Sequence, residues 1–280
     1  MFIPDSYLEQ LIRDDVPSVD LTTHVLGIGD KLGKIEYYTR DEAVLVGTEE
    51  AARIYRMLGA DDIEFEPSGT RLAAGQSFMW VTAPASLLHM GWKVCLNIFE
   101  YYCALSTKTR KMVDAVHAAN PRCEVLTTRK SMPGAKPFDL KAILTGGAFP
   151  HRLGLSETVL VFDHHLEFMG GIDGLVERLA EIKARCCEKK VFVEAEAQDA
   201  ARLVRAGVDG IQLDKVPVAE VERLVPELKG INPQVTLIAA GGVNLENAAA
   251  YAATGVDGLA TTCLHFAKPL DMSVHMWEQS

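Results

Sequence analysis

Apolar and polar positions along residues 1–106 switch between helical and strand periods. Residues 5–14 carry helical spacing, which Pro17 ends because proline lacks the N–H that a helix interior needs. Residues 34–40 and 43–46 read as strands. Thr48 reads as an N-cap, Glu49 and Glu50 suit the first turn of a helix running to Leu58, and Gly59 supplies its stop. Residues 63–65 and 76–82 predict further strands around a Pro67-Ser68-Gly69 turn. From Pro84 to about Ala119, residues such as Leu88, Val94, Cys95, Ile98, Tyr102 and Leu105 recur at helical spacing, predicting one or two long helices.

The pattern changes near residue 107. Short apolar runs at 124–128, 158–162, 190–194, 209–213, 234–240 and 256–260 each precede a more amphipathic stretch, with a final helix or tail after the last. That makes six β-then-α units. Runs that are apolar on both faces are what buried parallel strands require. The fold class predicted is α/β: an N-terminal α/β sandwich domain over 1–106, then an incomplete (β/α) TIM-like barrel over 107–266. A doubly wound open sheet is the alternative for the second part.

Polar residues cluster where these runs end: Arg129 and Lys130, then Asp163, His164 and His165, then Glu194 and Glu196, then Asp214 and Lys215, then Gly241 and Gly242, then Thr261 and Thr262. In a barrel those ends share one face, where active sites sit. Arg129, Lys130, Arg152 and Lys215 make that face locally basic although the chain's net charge is −10. Gly241-Gly242 before Asn244, read as a helix N-cap, suits a phosphate cradle, with a plain tight turn as the alternative. Glu196 and Asp214 suit Mg²⁺ shared with a bound phosphate, with salt bridging to nearby cations as the alternative. Asp163-His164-His165 is a weaker candidate for a transition-metal cluster, since adjacent histidines on a strand point to opposite sides. Together these features imply a phosphorylated, pyrophosphate-bearing substrate.

Composition narrows the picture. Apolar residues make up 48% and charged residues 24%, a mix that suits a soluble globular protein. The acidic balance argues against general nucleic-acid binding. No apolar run reaches the length of a membrane span, the start of the chain lacks a secretory pattern, and the six cysteines contain no C-x-x-C pair, so a reducing cytoplasm is expected. The cysteines read mostly as small core hydrophobes.

Several segments carry a specific resemblance: Val19-Asp-Leu-Thr-Thr23, Lys93-Val-Cys-Leu-Asn97, Thr128-Arg129-Lys130-Ser-Met-Pro133-Gly134, Gly146-Gly147, His151-Arg152-Leu-Gly-Leu155, Val193-Glu-Ala-Glu196, Gln212-Leu-Asp214, Gly241-Gly242 and Tyr251-Ala-Ala-Thr-Gly-Val-Asp257. Their order and spacing resemble the quinolinate phosphoribosyltransferase (nicotinate-nucleotide pyrophosphorylase) family over nearly the whole chain, and within it the ModD branch, named for its association with molybdate-transport genes. The resemblance implies an N-terminal sandwich completed by the tail 267–280. It also implies a homodimer whose active site lies at the subunit interface, one subunit's N-terminal domain helping to close its partner's barrel mouth. It implies transfer of the 5-phosphoribosyl group from 5-phosphoribosyl pyrophosphate (PRPP) to a ring nitrogen, with Mg²⁺ accompanying the pyrophosphate. Carried over by position, Arg129, His151 and Arg152 grip the acceptor, Lys130 meets PRPP, Glu196 and Asp214 lie near the ribose and metal, and Gly241 and Gly242 cradle the 5-phosphate. Lys93 stands at an arginine that reaches across the dimer.

The departures shape the functional expectation. Phe162 stands where the family has a lysine, Leu140 replaces another basic position, and Ile238-Ala239-Ala240 replaces a run with a carboxylate and hydroxyls. Thr261-Thr262 replaces a Val-Gly step and supplies hydroxyls to the phosphate side. The expectation is a phosphoribosyltransferase whose acceptor is a nitrogen heterocycle other than quinolinate. Two rivals are a true quinolinate phosphoribosyltransferase of NAD synthesis, with His164 or His165 replacing the missing cation, and a non-catalytic phosphate or oxyanion binder.

Overall fold

The computed structural model describes residues 1–279. They form two compact units, one of Met1–Arg110, Met132–Gly146 and the chain from His265 on, the other of Lys111–Ser131 and Gly147–Leu264.

The first unit holds α1 (Asp5–Asp15), α2 (Leu21–Leu26), β1 (Leu32–Thr39), β2 (Ala43–Val44), α3 (Thr48–Leu58), β3 (Asp62–Phe65), β4 (Arg71–Leu72), β5 (Ser77–Pro84), most of α4 (Ala85–Ala119) and α5 (Lys136–Gly146). Its four-stranded antiparallel sheet runs β3, β5, β1 and then the C-terminal strand Met272–Glu278. Alternation along β1 decides which face is covered: Ile35, Tyr37 and Thr39 are buried, while Lys34, Glu36 and Tyr38 are only partly covered. The covered face packs on α3 and α4. Tyr37 meets the Phe99 ring edge-on with centroids 5.3 Å apart, and its hydroxyl lies 2.7 Å from that of Tyr55. Thr48 opens α3 but is not its cap. Gly47 takes that position with φ 97°, and Thr48 Oγ1 donates to the Glu66 carbonyl instead. The long apolar stretch is one helix, α4, and its interior Gly91 is a packing requirement, since a Cβ there would run into the Tyr55 ring.

The second unit holds β6 (Glu124–Thr127), β7 (Phe149–Pro150), β8 (Val159–Val161), α6 (Asp163–Leu166), α7 (Gly171–Arg185), β9 (Val191–Ala195), α8 (Ala197–Ala206), β10 (Gly210–Asp214), α9 (Val218–Ile231), β11 (Thr236–Ala240), α10 (Ala248–Ala253) and β12 (Gly258–Thr261). These seven strands are all parallel and lie in the order β7-β6-β12-β11-β10-β9-β8. Each strand therefore follows its predecessor around a curled half-barrel, the last closes on the first, and the gap falls between β7 and β8. A doubly wound sheet would reverse its order at a switch point, so that alternative is excluded. The sequence pattern foresaw six strands. The seventh, β7, is two residues long and shows no alternation to read.

Inward-facing side chains fill the half-barrel. Leu160, Phe192, Ile238, Ala240 and Ala260 form one buried cluster, with Leu126 and Phe162 packed against it. Gly210 is required here, because a Cβ would run into the Phe192 ring. Extending this two-residue phase to the strand ends places Thr128, Phe162, Glu194, Asp214 and Thr262 on the same inward side.

Helix α5 follows the loop bearing Arg129 and Lys130, and a charge cluster anchors it. Lys141 Nζ donates to Glu49 at 2.7 Å and to Glu50 at 2.5 Å. The side chains of Lys141 and Glu50 are only 12% and 4% exposed. Burial would raise the Glu49 carboxyl, but hydrogen bonds from Lys141 and Ser68 hold it down to about 2. A depressed carboxylate stabilises the fold above its unfolded value, and that stability is lost as pH falls toward 2. Lys141→Met leaves Glu50 buried and unpaired. It should cost about 3 kcal/mol in urea unfolding at pH 7. The wild type should lose stability from about pH 4.5 downward, and the variant should lose less over that range.

Candidate active site

The strand ends bring two chemically different groups together. The first is cationic and aromatic. His151 follows β7, and its N–H donates to the Thr127 carbonyl at 2.9 Å. Its ring meets Phe192 nearly edge-on with centroids 6.3 Å apart, and its buried Nε2 has no hydrogen-bond partner among the described residues. Burial, and then the charge of Arg152, push its pKa below the ordinary histidine value. Arg152 Cζ lies 5.6 Å from the centroid of the Phe162 ring. Burial, and then the charge of Arg129, draw the Arg152 guanidinium down, so the two cations feel each other. Such a pair, beside an unsatisfied imidazole nitrogen, suits an anionic or hydrogen-bonding ligand.

Phe162 closes this group from below. His165 stacks on it at 5.9 Å, and His165 Nδ1 accepts the Phe162 N–H at 3.0 Å. Residues Asp163–Leu166 are a short helix, α6, so the strand argument about adjacent histidines does not apply. No group of three or more His, Cys, Asp or Glu side chains among the described residues is arranged to hold a metal, so the Asp163-His164-His165 cluster is not one. His164 is exposed.

The second group is a carboxylate cleft of about 440 Å³ lined by Asp163, Glu194, Glu196, Asp214, Lys215 and Glu220, among others. Glu194 lies opposite Gln212 across the β9–β10 pair, and Gln212 Nε2 donates to Glu194 Oε2. Burial raises the Glu194 carboxyl, and the charges of Asp214 and Asp163 raise it further. Glu196 stands just past β9, exposed, and accepts from Gln198 Nε2 at 2.8 Å. The sequence paired Glu196 with Asp214, and the strand register places Glu194, named at the same strand end, on the inward side with Asp214 as well. The signal was present, because Glu194 and Asp214 share the inward phase of Phe192 and Gly210. Crowded carboxylates of this kind fit a divalent cation that takes one or two of them plus substrate oxygens.

Beside the cleft lies the glycine loop. Gly241 and Gly242 have φ 78° and 84°. A Cβ on Gly241 would lie 2.6 Å from Asp214 Oδ1, whereas one on Gly242 would meet nothing within 4 Å. The loop therefore has room above it. α10 does not start at Asn244: Asn244 Oδ1 takes the Glu246 and Asn247 N–H groups of an intervening turn, and the helix begins at Ala248. Helix dipole support for the loop is correspondingly absent. Thr261 is buried on the outward phase, where its hydroxyl donates to Val243 O and accepts from Cys263 N–H. Thr262, one residue on, lies 2.9 Å from Thr128 Oγ1, which also accepts the Lys130 N–H at 3.3 Å. Arg129 and Lys130 are exposed. Lys93 lies on α4 in the first unit, 3.7 Å from Glu100.

Comparison with known proteins fixes the family. The description "Quinolinate phosphoribosyl transferase, C-terminal domain" matches residues 105–275, and the N-terminal domain description matches residues 20–103. The chain belongs to the quinolinate phosphoribosyl transferase family. It is 38% identical over 248 residues to the pyrophosphorylase ModD of Rhodobacter capsulatus, covering 88% of this chain and 95% of that one. It is 31% identical to the carboxylating nicotinate-nucleotide pyrophosphorylase of Mycobacterium leprae, covering 97% and 96%. The fold superposes on NadC from Streptococcus pyogenes with a TM-score of 0.89 at 24% identity, covering all of both chains. The chain is thus a ModD-like phosphoribosyltransferase of this family. Within that family's site, His151 should be neutral at pH 7. Its NMR titration midpoint should fall below 6.5, and loss of acceptor affinity between pH 6.5 and 8 should not trace to it in a His151→Asn comparison.

Proposed function

We propose that this enzyme transfers the 5-phosphoribosyl group of PRPP to a nitrogen heterocycle other than quinolinate, either a monocarboxylate or a neutral ring. The observation that carries this reading is Phe162. Where the likeness to the family leads one to expect a lysine, an aromatic ring sits on the apolar floor and under Arg152. Ile238, where a carboxylate is expected, is buried in the same floor.

In this reading the acceptor's ring nitrogen attacks the anomeric carbon as the bond to pyrophosphate breaks, and the bonding pair leaves on the pyrophosphate oxygen. Positive charge grows on the ribose, and Asp214 with Glu194 or Glu196 offers negative charge close by. These carboxylates together with the substrate would hold Mg²⁺, which would supply positive charge to the departing pyrophosphate. Arg129, Arg152 and His151 orient the acceptor, while Lys130, Gly241, Gly242 and Thr262 serve the phosphates. Thr261 serves as support, since its hydroxyl is already engaged. The same reading makes the enzyme a homodimer in which Lys93 serves the partner's barrel mouth. A reducing cytoplasm suits it, because Cys95, Cys103 and Cys123 are buried free thiols whose pKa burial pushes up. No described helix is long and apolar enough to cross a membrane.

A second reading, transfer to quinolinate itself, draws support from the Arg129–Arg152 pair, which is rich in charge for a monocarboxylate. Pyrophosphate release from PRPP with Mg²⁺, measured against a panel of pyridine, imidazole and other heterocycles, decides between them. Brisk quinolinate turnover by the wild type would sink the first reading. Phe162→Lys should raise kcat/KM for quinolinate by about tenfold or more, the worth of one charge-assisted hydrogen bond. Asp214→Ala and Glu196→Ala should lower kcat by about a hundredfold while changing acceptor binding little, the pattern of groups that act in the transition state.

A further inference from the structure

Lys215 is the one residue other than glycine with a positive φ among the described residues, at 56°. A lysine pays for that left-handed conformation in steric crowding, so the position is held against local preference. What holds it is visible. β10 and β11 pair in register up to Asp214 and Ala240, and the Lys215 N–H donates to the Ala240 carbonyl at 2.8 Å. The side chain then crosses Gly241, where a Cβ would lie 2.6 Å from Lys215 Cγ. The ammonium ends 3.4 Å from Asp214 Oδ2, and the side chain is 80% exposed.

Lys215 lines the rim of the carboxylate cleft, and its charge lowers the Glu194 carboxyl that burial and Asp214 raise. Its ion pair with Asp214 is long and exposed, of the kind that contributes little, so the ammonium is not committed to the cleft. Its stem packs against Gly241, and a Cβ on the following Gly242 would meet nothing within 4 Å. Strain and backbone pairing thus present a three-donor cation beside the part of the site that can seat a phosphate. We propose that Lys215 is a binding residue that grips the phosphate of PRPP seated on the Gly241–Gly242 loop. The proposal rests on the phosphoribosyl reading above. Its cation serves the phosphate side, while Phe162 leaves the acceptor side with one fewer.

Calorimetry on the full chain with Mg²⁺ tests it, using PRPP, ribose 5-phosphate and inorganic pyrophosphate as separate probes. Lys215→Asn removes the charge yet tolerates a left-handed backbone, so its Tm should equal or exceed that of the wild type. It should weaken PRPP and ribose 5-phosphate about tenfold, the effect of one charged hydrogen bond, and pyrophosphate less than about twofold. Lys215→Arg should stay within about threefold of wild type for all three probes. Should Lys215→Asn lower Tm, Lys215→Gly provides the same charge removal without a side chain. Unchanged ribose 5-phosphate affinity in a folded Lys215→Asn would overturn the proposal and leave the phosphoribosyl reading standing. An equal loss for pyrophosphate would also overturn it, by moving the cation to the leaving group. A wild type that binds neither PRPP nor ribose 5-phosphate would remove the underlying reading, and this proposal with it.

Discussion

The Phe192 ring on β9 fills the space that Gly210 leaves on β10, and the two residues are register partners. That contact sets the inward phase of two neighbouring strands at once, and a one-residue slip would turn every side chain to the opposite face. Leu126, Leu160, Ile238, Ala240 and Ala260 complete the same layer from the other strands. Burying a side chain of Phe192's size contributes roughly 1.5–3 kcal/mol, so the layer resists slippage collectively. The chemistry inherits this phase. Two residues above Phe192 stands Glu194, two above Gln212 stands Asp214, and two above Leu160 stands Phe162. Thr262 is presented to the site and Thr261 is withdrawn from it for the same reason.

This layered arrangement separates the site into two electrostatic halves. On one side the charge of Arg129 lowers the Arg152 guanidinium, and on the other Asp214 and Asp163 raise the Glu194 carboxyl against the opposing pull of Lys215. Under the proposed function, each repulsion would be relieved by a ligand of opposite charge: an anionic acceptor group on one side, a divalent cation on the other. The net charge of −10 then matters little for an anionic group at the arginine half, because the local field of Arg129 and Arg152 outweighs distant surface charges screened by salt.

Much of the barrel was legible in the sequence because buried parallel strands are apolar on both faces and helices follow them regularly. What escaped was short or irregular. β7 has two residues, too few for a period. α6 is a single turn, whose capping depends on the Phe162 N–H and the His165 ring rather than on a recognised cap residue. The start of α10 was displaced because Asn244 does form a local cap, but of a turn that precedes the helix. In the site, the residue types were readable at strand ends, whereas the partnership of Glu194 with Asp214 required the strand register. The left-handed backbone at Lys215 had no sequence signal, since lysine is not a residue that suggests it.

The choice of acceptor turns on whether anything replaces the cation missing at Phe162. His165 is poorly suited. Its Nδ1 accepts the Phe162 N–H, and protonation would convert that nitrogen to a donor and break the bond that caps α6. His164 is exposed on α6, where solvent screens its charge. A second carboxylate of a dicarboxylate acceptor lowered onto Phe162 would therefore shed its water without a partner. The lost charge-assisted hydrogen bond is worth about 1.5–3 kcal/mol, and desolvation of an unpaired carboxylate adds several more. Against this, a ring carrying one carboxylate keeps its pairing with Arg129 and Arg152 and lays its apolar edge on Phe162. Under the proposed function, the balance of these terms would favour the singly charged heterocycle over the dicarboxylate, and it rests on the Phe162 ring.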